Sequence, residues 1–213
     1  MAIPEGLRAL PQWVLWRQET REGKPTKVPY RANGDGRAST TNPDTWATFG
    51  QAEAALAQGN WDGLGFVFTE DDPFCGVDID KAMANGSLHP AAVELIKRLD
   101  SYTEWSPSGK GVHVIARGCV PAGGPKKVDA PWGTNAIERY STGRFFTMTG
   151  RHYMHSPLEV NSAQRAVDSI APENKGRATP PVVLEGPQNG LQDDEILALA
   201  RGARNGGKFT ALY

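Results

Sequence analysis

Two aspartates one residue apart, Asp78 and Asp80 in Gly76-Val77-Asp78-Ile79-Asp80, are the first candidates for chemistry. On a strand both carboxylates leave one face, while Val77 and Ile79 leave the other and seat the strand in a core. Adjacent like charges repel, and burying them together is costly unless a cation neutralises them. Hard divalent ions such as Mg²⁺ or Mn²⁺ prefer such oxygens. The other reading is a solvent-facing strand end with two ordinary acids. Glu138, in Ala136-Ile137-Glu138-Arg139-Tyr140, adds a third carboxylate if its strand neighbours the first. Otherwise it is a surface acid paired with Arg139 or Arg144. Three such acids suit two ions, which at about 3.5–4 Å apart clamp the attacking and leaving oxygens of a phosphoryl displacement.

Phosphate-binding candidates follow in the chain. Ser106-Pro107-Ser108-Gly109-Lys110-Gly111-Val112-His113 is a small-residue loop running into a strand, where glycines let backbone amides approach an anion and Lys110 adds charge. It is not a Walker loop: Glu104 stands where the first glycine belongs, and Gly111 follows Lys110 in place of Ser or Thr. His113 points away from the face of Val112 and Val114, as a phosphate ligand or as a satisfied structural histidine. Arg144, in Thr142-Gly143-Arg144-Phe145-Phe146, sits at the mouth of a strand, suited to bidentate contact with a phosphate or to a salt bridge with Glu138. Of Phe145 and Phe146, one would press on a nucleotide sugar, or one would face the core. Trp105 and Trp132 are placed to stack on bases or to pack internally.

Positioning these groups requires a mixed set of elements. Trp13–Trp16 and Lys27–Tyr30 read as extended pieces of a hairpin, with Gly23 and Pro25 in the intervening turn. Asn42-Pro43 predicts a helix start, continued by Trp46, Phe49, Ala52 and Leu56. Gly65–Phe68 and Cys75–Ile79 read as strands that pair across the acidic turn 70–73. The stripe Ala92, Leu95, Ile96, Leu99 predicts a helix with Pro90 in its first turn, covering a sheet. Three further strands are expected at 112–116, 136–140 and 145–149, with 121–133 as a long mobile connection. The order is α+β. One catalytic domain is expected over 1–171, a Pro- and Gly-rich linker over 172–190, and a helical region from 191 to Tyr213 that breaks off as an apolar pattern resumes.

The formal net charge of −1 over 213 residues argues against a uniformly basic coat. Basic residues cluster locally: Lys110, Arg117, Lys126, Lys127, Arg139, Arg144 and Arg151 face only Asp129 and Glu138 between Ser106 and His155. Two cysteines without short spacing suggest neither a zinc knuckle nor a disulfide framework. With no leader-like start and no apolar run approaching the ~18 residues of a membrane span, the expectation is a cytoplasmic protein of a bacterial or phage-infected cell, with no membrane partner.

Taken in order, these segments resemble the archaeo-eukaryotic primase superfamily, and specifically the primase-polymerase domains of phage and plasmid replication proteins, over Pro11 to Pro157. Asp78 and Asp80 match its paired acids, Gly111-Val112-His113 its small residue and histidine, and Ile137-Glu138 its third carboxylate, here Glu in place of the commoner Asp. Gly23-Lys24-Pro25-Thr26-Lys27-Val28-Pro29-Tyr30 and Glu138 to Gly150 extend the match. The resemblance implies an RRM-like catalytic sheet with an additional N-terminal α/β unit. It also implies two divalent ions on Asp78, Asp80 and Glu138, a triphosphate held by Ser108, Lys110, His113 and Arg144, and DNA primase and polymerase activity. Its implied partners are a single-stranded DNA template, nucleoside triphosphates and often a helicase domain on the same polypeptide. Two rival readings remain at this point. A replication-initiation nuclease needs a second histidine, which His113-Val114-Ile115 lacks. A non-catalytic single-strand-binding module would leave the acids as surface groups.

Overall fold

A computed structural model describes residues 2–170, the side chain of Asn135 excepted. The expected linker and C-terminal helical region lie outside the described residues.

A short helix α1 (Glu5–Arg8) leads into the hairpin β1 (Trp13–Arg21) and β2 (Lys24–Tyr30). The strands run on through the polar stretch to a turn at Glu22 and Gly23, both at positive φ, so the hairpin is longer than its apolar ends suggest. The helix expected from Asn42 is divided. A 3₁₀ turn (Pro43–Thr45) is followed by extended Trp46, and α2 (Phe49–Leu56) starts afresh. The reason is local: Thr48 and Gln51 form a capping box that nucleates α2, while Trp46 donates its indole N–H to Ser39 O at 2.6 Å.

Next come β3 (Gly63–Phe68), β4 (Phe74–Ile79), the small hairpin β5 (Met83–Ala84) and β6 (Ser87–Leu88), and α3 (Pro90–Leu99). The chain closes with β7 (Thr103–Trp105), β8 (Val112–Arg117), β9 (Lys127–Ala130), β10 (Gly133–Tyr140), β11 (Arg144–Met148) and the short α4 (Gln164–Asp168). The segment read as a loose connection thus contains a strand, β9, whose Val128 is buried.

The strands form a four-stranded sheet in the order β11-β3-β1-β2 and a five-stranded sheet in the order β7-β8-β4-β10-β9, both antiparallel throughout. The pairing expected between β3 and β4 is corrected: they belong to different sheets. Asp72 holds the crossing, its carboxylate accepting from the N–H groups of Thr69 and Phe74 and from the side chain of Gln12. The α+β class stands.

Two cores result. One face of the five-stranded sheet (Val77, Ile79, Val112, Val114, Ile137) packs under α3 through the predicted stripe Ala92, Leu95, Ile96 and Leu99. The second core draws on both sheets, α1 and α2, and centres on Trp13, which meets Phe49 and Phe66 edge-on at 5.0 and 5.3 Å. Trp13 is fully buried, and truncating it to Ala would cost about 3–5 kcal/mol. Gly76 lets the two sheets approach, since a Cβ there would lie 2.5 Å from the Phe146 ring. Among the described residues no helix is long and apolar enough to cross a membrane.

Candidate active site

Strand register assembles the site. Glu104 opposes His113, His113 opposes Asp78, Asp78 opposes Glu138, and Glu138 opposes Lys127. Directly opposed residues share a sheet face, so five neighbouring strands each contribute one ionisable side chain to a single transverse row. The row is sealed at one end and open at the other: side-chain exposure is 0% at Glu104, 4% at His113, 31% at Asp78, 21% at Glu138 and 49% at Lys127.

At the sealed end, Glu104 accepts hydrogen bonds from the Tyr102 hydroxyl at 2.8 Å and from the N–H groups of Thr149 and Gly150 at 2.7 and 2.9 Å. Those bonds tie the end of β11 to β7. His113 Nδ1 lies 2.9 Å from Thr147 O and 4.0 Å from the Glu104 carboxylate. A carbonyl only accepts, so Nδ1 carries a proton, and Nε2 is left towards Asp78 Oδ1 at 3.8 Å. Burial pushes the His113 imidazole down to about 4, with Glu104 opposing that fall, so the ring is neutral near pH 7.

Asp78 is pushed the other way, up to about 7, first by burial and then by the charge of Asp80, with Glu138 adding to both and Lys27 opposing. Asp80 stands one residue past β4; its N–H donates to Ala136 O and its carboxylate accepts from Lys81 N at 2.9 Å. Gly111 makes this corner possible, because a Cβ there would fall 2.3 Å from Ile79 O. Glu138 is engaged on three sides: an ion pair with Lys127, the Tyr140 hydroxyl at 2.8 Å and the Arg144 guanidinium at 3.8 Å. The sequence partner Arg139 turns away and donates to Pro125 O and Val167 O.

The row opens on a cleft of about 910 Å³ whose walls include Lys27, Asp78, His113, Glu138, Arg144 and Phe145. The structure therefore gathers four expected site residues, with Asp80 at the adjoining strand end. Ser108 and Lys110 are exposed on the turn before β8 and are not among the residues lining the cleft. Phe145 and Phe146 both line the cleft, Phe146 as a buried core residue and Phe145 half-buried. Trp105 and Trp132 are half-buried and pack against the core, the latter donating its indole N–H to Asp80 O at 3.0 Å.

Sequence reasoning assigned no role to Lys27. It reaches from β2 to within 3.3 Å of Thr147 Oγ1, its ammonium drawn down by burial and held up by Asp78 and Asp80. Its alternation with Pro25 and Pro29 on one face was the available signal. Glu104 was noted only as a missing glycine.

The donor set fits a hard cation in part. Asp78 and Asp80 are partly buried acids, and the charge of Asp80 adds to burial in raising the proton affinity of Asp78, a cost that a bound cation would relieve. Among the described residues no three Asp, Glu, His or Cys side chains converge closely enough to hold one ion as they stand, because Glu138 is turned to Lys127.

No family model matches the chain. A curated relative, a DNA primase-polymerase from Nitratiruptor phage NrS-1, is 38% identical over 154 residues, covering 70% of this chain and 21% of the relative. The chain spans about a fifth of that relative's length.

Proposed function

We propose, for a chain that carries a domain of the primase-polymerase family, template-directed nucleotidyl transfer in phage or plasmid DNA replication. The observation that carries this reading is the row His113, Asp78, Glu138 facing a cleft large enough for a nucleotide. The five-stranded sheet would be the RRM-like catalytic sheet, and the four-stranded sheet with α2 the additional α/β unit.

Asp78 and Asp80 would hold divalent metal, Mg²⁺ or Mn²⁺, and Glu138 would be a third ligand with its ion pair to Lys127 opened. Bound there, two ions would lower the pKa of a primer 3′-hydroxyl and neutralise charge developing on the α-phosphate and leaving pyrophosphate. The protein's part is position and charge. Lys27 and Arg144 line the cleft as cations for the triphosphate. His113 offers Nε2; to donate to a phosphate oxygen that atom takes up a proton, and Glu104 behind the ring favours the resulting charge. Ser108 and Lys110 approach from the exposed turn. Phe145 presses on the sugar. The single-stranded template enters along the open side.

Templated primer synthesis and extension with Mg²⁺ or Mn²⁺ tests the reading. Incorporation in the unaltered protein, abolished in Asp78→Ala and Asp80→Ala, is expected; incorporation that survives both substitutions overturns the metal assignment. Metal-independent strand binding without incorporation would favour a non-catalytic module.

A further inference from the structure

A second cavity lies away from the carboxylate row. It measures about 430 Å³ and lies between α2 and the segment leading to it. Arg31 lines it, and the Arg31 Nε atom is sealed from solvent with no acceptor among the described residues. A buried donor left without an acceptor is destabilising. A ligand acceptor would remove that cost.

The other walls identify the ligand chemistry. Gln58 offers a side-chain amide, both donor and acceptor; Asn33 and Gln51 offer N–H groups, their oxygens already accepting from Asp35 and Thr48; Trp46 offers a ring; the remaining surface is largely alanine. Asp44 on the same wall balances Arg31, so the cavity has no surplus positive charge to concentrate a phosphate. An uncharged, flat, hydrogen-bonding group matches this set. Guanidinium groups pair bidentately with the O6 and N7 acceptors of guanine, and aromatic rings stack on any base.

Location ties the cavity to the cleft. Ala38, Ser39 and Thr40 wall the cleft, and a few residues further on Asp44 and Trp46 wall the cavity. Trp46 is fixed on the cavity wall by its bond to the O atom of Ser39, a residue of the cleft wall.

From the sealed, unpartnered Nε of Arg31 and the amide- and Trp46-lined cavity that follows the cleft wall along the chain, we propose a subsite for one unpaired nucleobase of single-stranded DNA, with guanine preferred. It takes a base the strand has turned out of the cleft. The inference rests on the proposed DNA-templated activity for its biological setting, and its test does not.

The test is fluorescence anisotropy with three dT12 strands, bearing at the centre guanine, thymine or an abasic unit, in EDTA without nucleotide. The unaltered chain should bind the guanine strand about tenfold tighter than the abasic strand, the scale of one good bidentate base contact. Arg31→Met keeps the aliphatic stem and should erase that difference while leaving the abasic affinity unchanged. Gln58→Ala, at an exposed position, should narrow the difference, and supplies the test should Arg31→Met fail to fold. Asp78→Ala should retain it fully, which separates this site from the catalytic reading. Three results would overturn the subsite: no guanine preference in the unaltered chain, a preference unchanged in both Arg31→Met and Gln58→Ala, or equal weakening of all three strands by Arg31→Met.

Discussion

Asp78 and Glu138 stand directly opposite each other on β4 and β10, yet only Glu138 has a cation bonded to it. Lys127 on β9 pairs with the Glu138 carboxylate, and the Tyr140 hydroxyl accounts for its other oxygen. An ion that recruits Glu138 must first displace Lys127.

Lys127→Met removes that competitor. A half-exposed ion pair contributes about 0.2–1 kcal/mol, so Mn²⁺ binding followed by calorimetry should tighten by up to about fivefold. In a Glu138→Gln background the same substitution should tighten binding less, leaving only relief of the Lys127 charge on Asp78. Tightening undiminished in that background would mean that Glu138 is no ligand.

The metal-free protein should show a near-flat stability profile between pH 7 and 4 that hides two opposed slopes. Asp78 rises from 3.8 to about 7 on folding, so its contribution is full at low pH and is lost as pH rises towards 7. His113 falls from 6.5 to about 4, so the unfolded chain takes up its proton first and stability is lost as pH drops from 6.5 to 4. Each slope should be on the order of 2 kcal/mol across its window, since a tenfold change in proton affinity is worth about 1.4 kcal/mol and the surroundings relax in part. His113→Gln should therefore become more stable on acidification, and Asp78→Asn less stable. Urea titrations across that range read both, and matching profiles for the two variants would refute the assignment.

Much of this arrangement is written in local pattern. The α3 stripe and strands β8, β10 and β11 follow from periodicities of 3.6 and 2, which depend only on neighbours in the chain, whereas Asp80 falls just past the end of β4. What escaped depends on distant partners. That β3 and β4 enter different sheets is decided by Asp72 reaching Gln12, a contact across 60 residues. The ion pair of Glu138 with Lys127 requires β9, whose one buried apolar residue is surrounded by proline and glycine that read as loop. The break at Trp46 was legible, because Thr48 and Gln51 spell a capping box, but the apolar spacing through Trp46 obscured it.

Glu104 should matter beyond its own charge. Its two oxygens take three donors in a fully buried setting, and glutamine would place an amide N–H against at least one of them. Glu104→Gln is expected to cost on the order of 1–3 kcal/mol for each donor left unsatisfied, seen as a lowered urea midpoint with unchanged slope. Tyr102→Phe, which removes a single donor, should cost less. Equal stability of Glu104→Gln and the unaltered chain would contradict the geometry.

Lys27 separates two effects that are usually confounded. Its ammonium offsets Asp78 and Asp80 in the metal-free protein, and so competes with an incoming ion for the same field. The same charge faces the cleft where a triphosphate would lie. Lys27→Met should therefore tighten Mn²⁺ binding in the absence of nucleotide, since one repelling cation is gone. It should also raise the nucleotide KM about tenfold, the scale of one lost charge-assisted hydrogen bond. The opposite signs are the test. A variant that weakens both metal and nucleotide binding would show Lys27 acting through the fold of β2, and a variant that changes neither would remove it from the site.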